Sequence, residues 1–263
     1  MTSQTYPYLT VPERQDKPRA VGRTMVHDSG IGTAQLEQCL ETAAPYIDYF
    51  KFRSMTHALY PEEITFRKIA LLKEHAIKPF MGGNVLELAY VQGTLDAHLA
   101  YTKAHGWEAT EISETYVTIP EQEKFELIKR CAGDGLEVFY EWGLKRPVKP
   151  LDPEEAAADI RGYLDAGVAI AIIEEGEIDL LIGKDGQGDK GDRLKKLFDL
   201  VGPENLMVEC GAMGQVGWFM LEMGTVINIG NLNFDQAIEI EPLRRGIGRA
   251  VDYSIYRPYL DKK

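Results

Sequence analysis

Four apolar runs in the middle of the chain each finish on a carboxylate. They are Ala109–Glu114 with Glu111 and Glu114, Glu137–Gly143 with Glu141, Val168–Glu175 with Glu174, and Leu206–Gly211 with Glu209; an earlier run, Thr24–Asp28, ends on Asp28. Nothing in strand propensity favours glutamate at such positions. Carboxylates brought together repel, so they require a cation, a buried lysine or shared protons. A hard divalent ion, Mg2+ for preference, suits oxygen donors of this kind. On this reading Glu111, Glu174 and Glu209 are metal ligands, and Glu141 and Asp28 join the acid–base chemistry. Lys145, just beyond Glu141-Trp142-Gly143-Leu144, reaches back over Gly143 as a proton donor to a carbanion-like centre. One such glutamate or loop lysine, taken alone, is ordinarily a solvated charge; the weight lies in the repetition.

These residues need elements that bring them together. Strand-like runs fall at Thr24–Asp28, Tyr49–Arg53, Pro79–Gly83, Ala109–Glu114, Glu137–Gly143, Val168–Glu175, Leu206–Gly211 and Val226–Gly230. Amphipathic helical patterns separate them, at Thr33–Tyr46, Pro61–His75, Leu95–His105, Pro120–Gly133, Pro153–Gly167, Gly191–Val201, Met213–Met223 and Phe234–Gly246. Pro61, Pro120 and Pro153 suit first helical turns, and Gly106, Gly167 and Gly224 suit helix ends. Eight strands alternating with eight helices predict parallel βαβ units closed into a single (β/α)8 barrel, with the strand ends converging on one catalytic face. A doubly wound open sheet is the alternative, but His27-Asp28-Ser29-Gly30-Ile31-Gly32 lacks the spacing of a dinucleotide fingerprint.

The barrel adds candidates for holding a substrate. Lys51 and Arg53 alternate with aromatics on the second strand, which turns one of them toward the interior or its mouth. Gly83 and Asn84 open a helix whose first N–H groups are free for an anion. Ser113 follows the fourth strand, and Asn228 and Asn231 end the eighth. His27 and His57 read as structural. Gly183–Asp192 is a polar, glycine-rich loop long enough to act as a lid.

Composition narrows the partners. The 263 residues carry 41 acidic against 29 basic side chains, a formal charge of -12, which argues against nucleic acid or an anionic membrane and for a small-molecule substrate. No apolar run is long enough to span a bilayer and no secretory leader is evident, so a cytoplasmic protein is expected. Cys39, Cys131 and Cys210 lack metal-ligand spacing and read as buried, reduced thiols. Residues 1–22 carry three prolines and read as an extended arm suited to a neighbouring subunit of a homo-oligomer; residues 23–263 form the barrel.

In this order the segments Tyr49-Phe50-Lys51-Phe52, Gly82-Gly83-Asn84-Val85-Leu86-Glu87, Glu111-Ile112-Ser113, Glu141-Trp142-Gly143-Leu144-Lys145, Ile172-Ile173-Glu174 and Asn228 to Gly246 resemble the phosphosulfolactate synthase family. The resemblance runs from about Gly22 to Gly248. It implies a (β/α)8 barrel and a Mg2+-dependent addition of sulfite to phosphoenolpyruvate, in the biosynthesis of a coenzyme M-type sulfonate. It also implies a lysine after the fifth strand that protonates the enolate-like intermediate, and Lys145 falls there. The chain departs from the family at Ser29, Gly176 and Met213, where basic residues are usual, and gains Arg53. Two alternatives therefore stand beside that activity: a diverged synthase of the same barrel acting on a less anionic unsaturated or enolisable acid, and a non-catalytic protein like the heat-stress-associated relatives of the family.

Overall fold

The computed structural model describes residues 5–260; the first four residues of the expected arm and the last three of the barrel lie outside the described residues. Eight parallel strands close into a barrel in simple sequential order, β1 to β8. They are β1 (Thr24–His27), β2 (Tyr49–Phe52), β3 (Lys78–Met81), β4 (Ala109–Ile112), β5 (Glu137–Trp142), β6 (Val168–Ile173), β7 (Leu206–Glu209) and β8 (Asn228–Leu232). The helices on the outside are α1 (Thr33–Ala43), α2 (Glu62–Glu74), α3 (Gly83–Val91), α4 (Leu95–Ala104), α5 (Glu121–Gly133), α6 (Pro153–Ala166), α7 (Glu175–Ile182), α8 (Gly191–Val201), α9 (Met213–Glu222) and α10 (Phe234–Arg244), with a short α11 (Arg257–Leu260) near the end. β3 and β6 are thus each followed by a pair of helices, and β8 by α10 and the short α11. Glu175, expected to end the sixth strand, instead opens the helix Glu175–Ile182, a segment otherwise left unassigned by the sequence pattern; Ile178, Leu181 and Ile182 are all buried by it and have the helical spacing that signals one.

Strand alternation builds two cores. Outward side chains such as Val26, Phe50, Phe52, Ile112 and Val208 pack against the helices. Inward side chains Met25, Tyr49, Phe80, Ala109, Phe139, Ile170, Ile172 and Met207 fill the barrel as a separate apolar plug. On β2, β4, β5 and β7 the next inward position above that plug is Lys51, Glu111, Glu141 and Glu209, and Glu174 continues the same phase one residue beyond β6. The period of two along a strand therefore delivers the charged ring to the C-terminal mouth.

Described residues of the arm make contacts within the chain itself. Lys17 Nζ donates to the carbonyls of Ala44, Ile47 and His75 at 2.9, 3.0 and 2.7 Å. Arg19 Nη1 donates to both oxygens of Asp48 at 2.9 and 3.0 Å, and Asp48 Oδ2 also accepts from the Thr24 amide at 2.9 Å. Arg14 pairs with Glu241. These contacts lie under the N-terminal ends of the strands, so the arm caps its own barrel on the face opposite the mouth. The polar loop after Gly183 is pinned to the flank: Gly188 N donates to Ile182 O at 2.8 Å and Lys190 N to Leu181 O at 3.1 Å, while a Cβ at Gly186 would stand 2.6 Å from Gly214 O. The three cysteines are free, with Cys131 and Cys210 buried and Cys39 partly exposed. No helix among the described residues is long and apolar enough to cross a membrane.

Removing Arg19 strands a buried carboxylate between the arm and β2. Arg19→Met is expected to cost about 3 kcal/mol or more of unfolding free energy, with part of the loss recovered on adding Asp48→Asn. Urea denaturation of wild type and the two variants at neutral pH measures this, and an Arg19→Met protein as stable as wild type would show that this arm contact is dispensable.

Candidate active site

Glu111, Glu141 and Glu209 each offer an oxygen, and these atoms lie within 4.8 Å of one another in the buried floor of the mouth. Lys51 rises from β2 into the same space, with Nζ 2.5 Å from Glu111 Oε2 and 3.1 Å from Glu209 Oε1. Burial opposes the charge on Lys51, but Glu111, Glu209 and Glu141 outweigh it and hold the ammonium well above the ordinary lysine range. Lys145 forms a second cluster beside the first. Its Nζ is 2.7 Å from Glu141 Oε1 and also donates to Glu174 Oε2. Burial again works against its charge, and Glu141 and Glu174 more than restore it. Glu141 belongs to both clusters. Burial first, then Glu111 and Glu209, push its carboxyl up to about 7; burial and Glu141 likewise raise Glu174.

The loop that carries Lys145 is fixed from α7. Gly143 has φ +115°, and a Cβ there would come within 2.6 Å of Glu177 Cγ. Glu177, itself buried, accepts from the Leu144 amide at 3.0 Å. At Gly176 a Cβ would meet the carbonyl oxygens of Lys145 and Leu144 at 2.5 and 2.6 Å. The backbone of the lysine loop thus lies where any side chain at residue 176 would start, so the loop in this position requires glycine there.

Several expected residues share the mouth. Lys51, Arg53, Gly83, Asn84, Glu111, Glu141, Lys145 and Asn231 line one cavity of about 240 Å3. Asn231 adopts a left-handed φ of +59°; its carbonyl accepts from His27 Nδ1 at 3.1 Å, and its buried Oδ1 has no partner among the described residues. Gly83 is tied to the acidic floor, because its N–H donates to Glu111 Oε1 at 3.0 Å. That amide orients a carboxylate and so is not free for an anion, contrary to what its place at a helix start suggests.

Others stand elsewhere. Asn228 opens β8 instead of ending it, at the opposite end of the barrel. Its Oδ1 accepts from the Arg23 amide at 2.9 Å, and its Nδ2 donates to Pro203 and Leu206 carbonyls at 3.0 and 2.8 Å. Asp28 follows inward-facing His27 and so turns outward, where it pairs with Lys68 of α2 at 2.7 Å, both side chains fully buried, and accepts from Tyr60 and the Gly30 amide. Ser113 donates its hydroxyl to Glu87. Glu87, unremarked in the sequence beyond the family segment, also accepts from the amides of Thr115 and Tyr116 at 3.0 Å each and so shapes the loop after β4. A glutamate in the apolar stretch Val85–Ala89 was the available signal. Glu174 lies with Lys145 and not with the carboxylate trio, where Glu141 takes its place.

The donor set fits a divalent cation. Four glutamates against two lysines leave the cluster with two surplus negative charges, and Glu111, Glu141 and Glu209 present hard oxygens around one small space.

Residues 12–249 match the family model described as (2R)-phospho-3-sulfolactate synthase (ComA). The chain belongs to that family. Phosphosulfolactate synthase of Methanocaldococcus jannaschii is 34% identical over 231 residues, covering 86% of this chain and 92% of that protein. The phosphosulfolactate synthase of Methanothermobacter thermautotrophicus is 29% identical over 246 residues, covering 92% and 95%. Among solved structures, the YdjI aldolase of Escherichia coli K12 superposes with a TM-score of 0.55 at 14% identity, covering 92% of this chain and 90% of that one, which speaks to the shared barrel only. Membership in the phosphosulfolactate synthase family makes an enzyme the coarse reading of the acidic mouth.

The raised Glu141 carboxyl has a stability consequence in metal-free protein. Its folded pKa, about 7, exceeds the ordinary 4.5, so stability falls as pH rises from 4.5 to 7 and levels off above. Glu141→Gln is expected to stabilise the metal-free fold at pH 8 by roughly 1–3 kcal/mol, the gain vanishing near pH 4.5. Denaturant titrations across this range check it; a pH-independent difference would contradict the assignment.

Proposed function

We propose that the chain catalyses the Mg2+-dependent addition of sulfite to phosphoenolpyruvate, acting as a carbon–sulfur lyase in the synthase direction. The observation that carries this reading is Lys145, held as an ammonium between Glu141 and Glu174 at the edge of a cavity floored by three carboxylates. In the reaction the sulfur lone pair forms a bond to the methylene carbon, and the π electrons of the double bond move toward the neighbouring carbon and its carboxylate. Lys145 gives its proton to that carbon, completing phosphosulfolactate. The lysine is half exposed, so water can return its proton for the next cycle. Arg53 and Asn84, both lining the cavity, are placed for the phosphate, with the amide end of α3 behind them. Glu111, Glu141 and Glu209 would hold Mg2+, which when bound supplies positive charge against the substrate carboxylate as electron density arrives there.

A second reading has one observation in its favour. Met55, Leu88, Val91 and Val117 line an apolar cavity of about 430 Å3 that shares Ser54, Asn84 and Tyr116 with the polar mouth. A synthase of this barrel acting on a less anionic unsaturated acid, with an apolar substituent, would use that annex.

Purified protein with Mg2+ is expected to consume phosphoenolpyruvate only when sulfite is present. Lys145→Ala is expected to lower kcat by about 10²–10⁴-fold with little change in KM. Turnover of an apolar unsaturated acid without turnover of phosphoenolpyruvate would select the second reading. A Lys145→Ala enzyme with full kcat would remove the proton donor from either one.

A further inference from the structure

We propose that Lys51 is a displaceable counter-ion: its ammonium yields the carboxylate trio to a divalent cation and thereby becomes an anion-binding group at the mouth. The proposal rests on the reading that this trio takes a metal, and it goes beyond that reading by coupling metal binding to substrate binding.

The first premise is space. Donor atoms of Glu111, Glu141 and Glu209 lie within 4.8 Å of one another, so the room among them accepts one cation at contact distance, given metal–oxygen distances of about 2.1 Å for Mg2+. Lys51 Nζ already sits against two of the three. A dication at that point and an ammonium beside it would repel strongly in a site closed to water. The trio is therefore shared by exclusion.

The second premise is direction. Beneath Nζ the barrel is filled by Phe80, Phe139, Ile172 and Met207, all fully buried, with the Phe80 ring centroid 5.8 Å from the ammonium. No charge can move down. Above lies the mouth cavity, which Lys51 lines together with Arg53, Gly83, Asn84 and Asn231. Gly82 flanks the stem on that side, where even an added Cβ would be in no more than ordinary contact with Lys51 Cε, at 3.5 Å. A four-carbon stem lets the head group swing upward while its backbone stays in β2.

The consequence is a charge relay by position. Without metal the floor holds Lys51 and the mouth offers Arg53 as its anion partner. With metal, the mouth gains a further cation beside Arg53 and the carboxylate-bound Lys145, without any change of backbone. Metal and anion then bind with positive coupling, which thermodynamic linkage makes reciprocal.

Amine labelling of the wild-type protein tests this without turnover. Under reductive methylation read by peptide mass spectrometry, Lys51 is expected to be protected in metal-free protein. Saturating Mg2+ should raise its labelling rate about fivefold or more, and inorganic phosphate added with Mg2+ should restore protection. Lys68, fully buried on Asp28, is the internal control and should stay protected throughout. Lys51 labelling that ignores Mg2+, or that rises only in step with Lys68, overturns the proposal. As a second measurement, Lys51→Met should bind Mn2+ about tenfold more tightly than wild type by electron paramagnetic resonance titration, because the competing charge is gone. Equal or weaker binding, or none in either protein, counts against displacement. Mg2+-driven labelling together with no reaction of sulfite and phosphoenolpyruvate would sink the substrate assignment while leaving the counter-ion exchange standing.

Discussion

Everything at the mouth follows from the cost of gathering carboxylates where water is scarce. Glu111, Glu141 and Glu209 are buried side by side, an arrangement that like-charge repulsion and desolvation both oppose. Two lysines make it tenable, one from inside the barrel wall and one from the loop after β5. Their contribution is incomplete: four carboxylates against two ammonium groups leave a formal surplus of two negative charges, and burial, followed by the neighbouring Glu111 and Glu209, raises the carboxyl of Glu141. A fold that retains such a deficit is poised for a cation to fill it, and the remaining features of the mouth serve to hold the deficit in place.

The holding is done by backbone geometry. Inward positions of four strands and the in-phase residue just beyond β6 carry the charged ring, one step above an apolar plug that blocks relaxation into the barrel. Gly83 donates its amide to Glu111 and lets β4 approach α3 closely. Gly143 and Gly176 give the lysine loop a path against α7, and Glu177 pins it. Each glycine removes a side chain where a neighbouring charged group or its loop must pass.

Much of this was legible in the sequence because strand periodicity is strict. The eight strands, the barrel, and the grouping of Lys51, Glu111, Glu141, Glu174 and Glu209 at one end all follow from alternation and from the carboxylates closing successive apolar runs. Asp28 was misread for the same reason in reverse. It ends a strand as the glutamates do, but one residue out of phase, so it meets Lys68 behind the wall. Asn228 was misplaced because the eighth strand begins two residues later than its apolar pattern suggested. What no periodicity reveals is pairing: that Glu141 joins the trio while Glu174 holds Lys145, or that Ser113 is committed to Glu87, depends on side-chain reach across strands.

The two lysines divide their labour by exposure. Lys51 is enclosed on β2 between two carboxylates and the Phe80 ring, a setting that stabilises charge and leaves the ammonium far less open to water than that of Lys145. Lys145 is half exposed on a loop, bound to two carboxylates whose own protonation is raised by burial. A group that must give up a proton and recover it every cycle needs solvent on one side, and a group that must only carry charge is better without it. Exchanging their roles would place the proton donor where it is far less open to water and the counter-ion where water would screen it. On the proposed function, the asymmetry between a strand lysine and a loop lysine is what would allow one acidic cluster both to bind a cation and to deliver a proton.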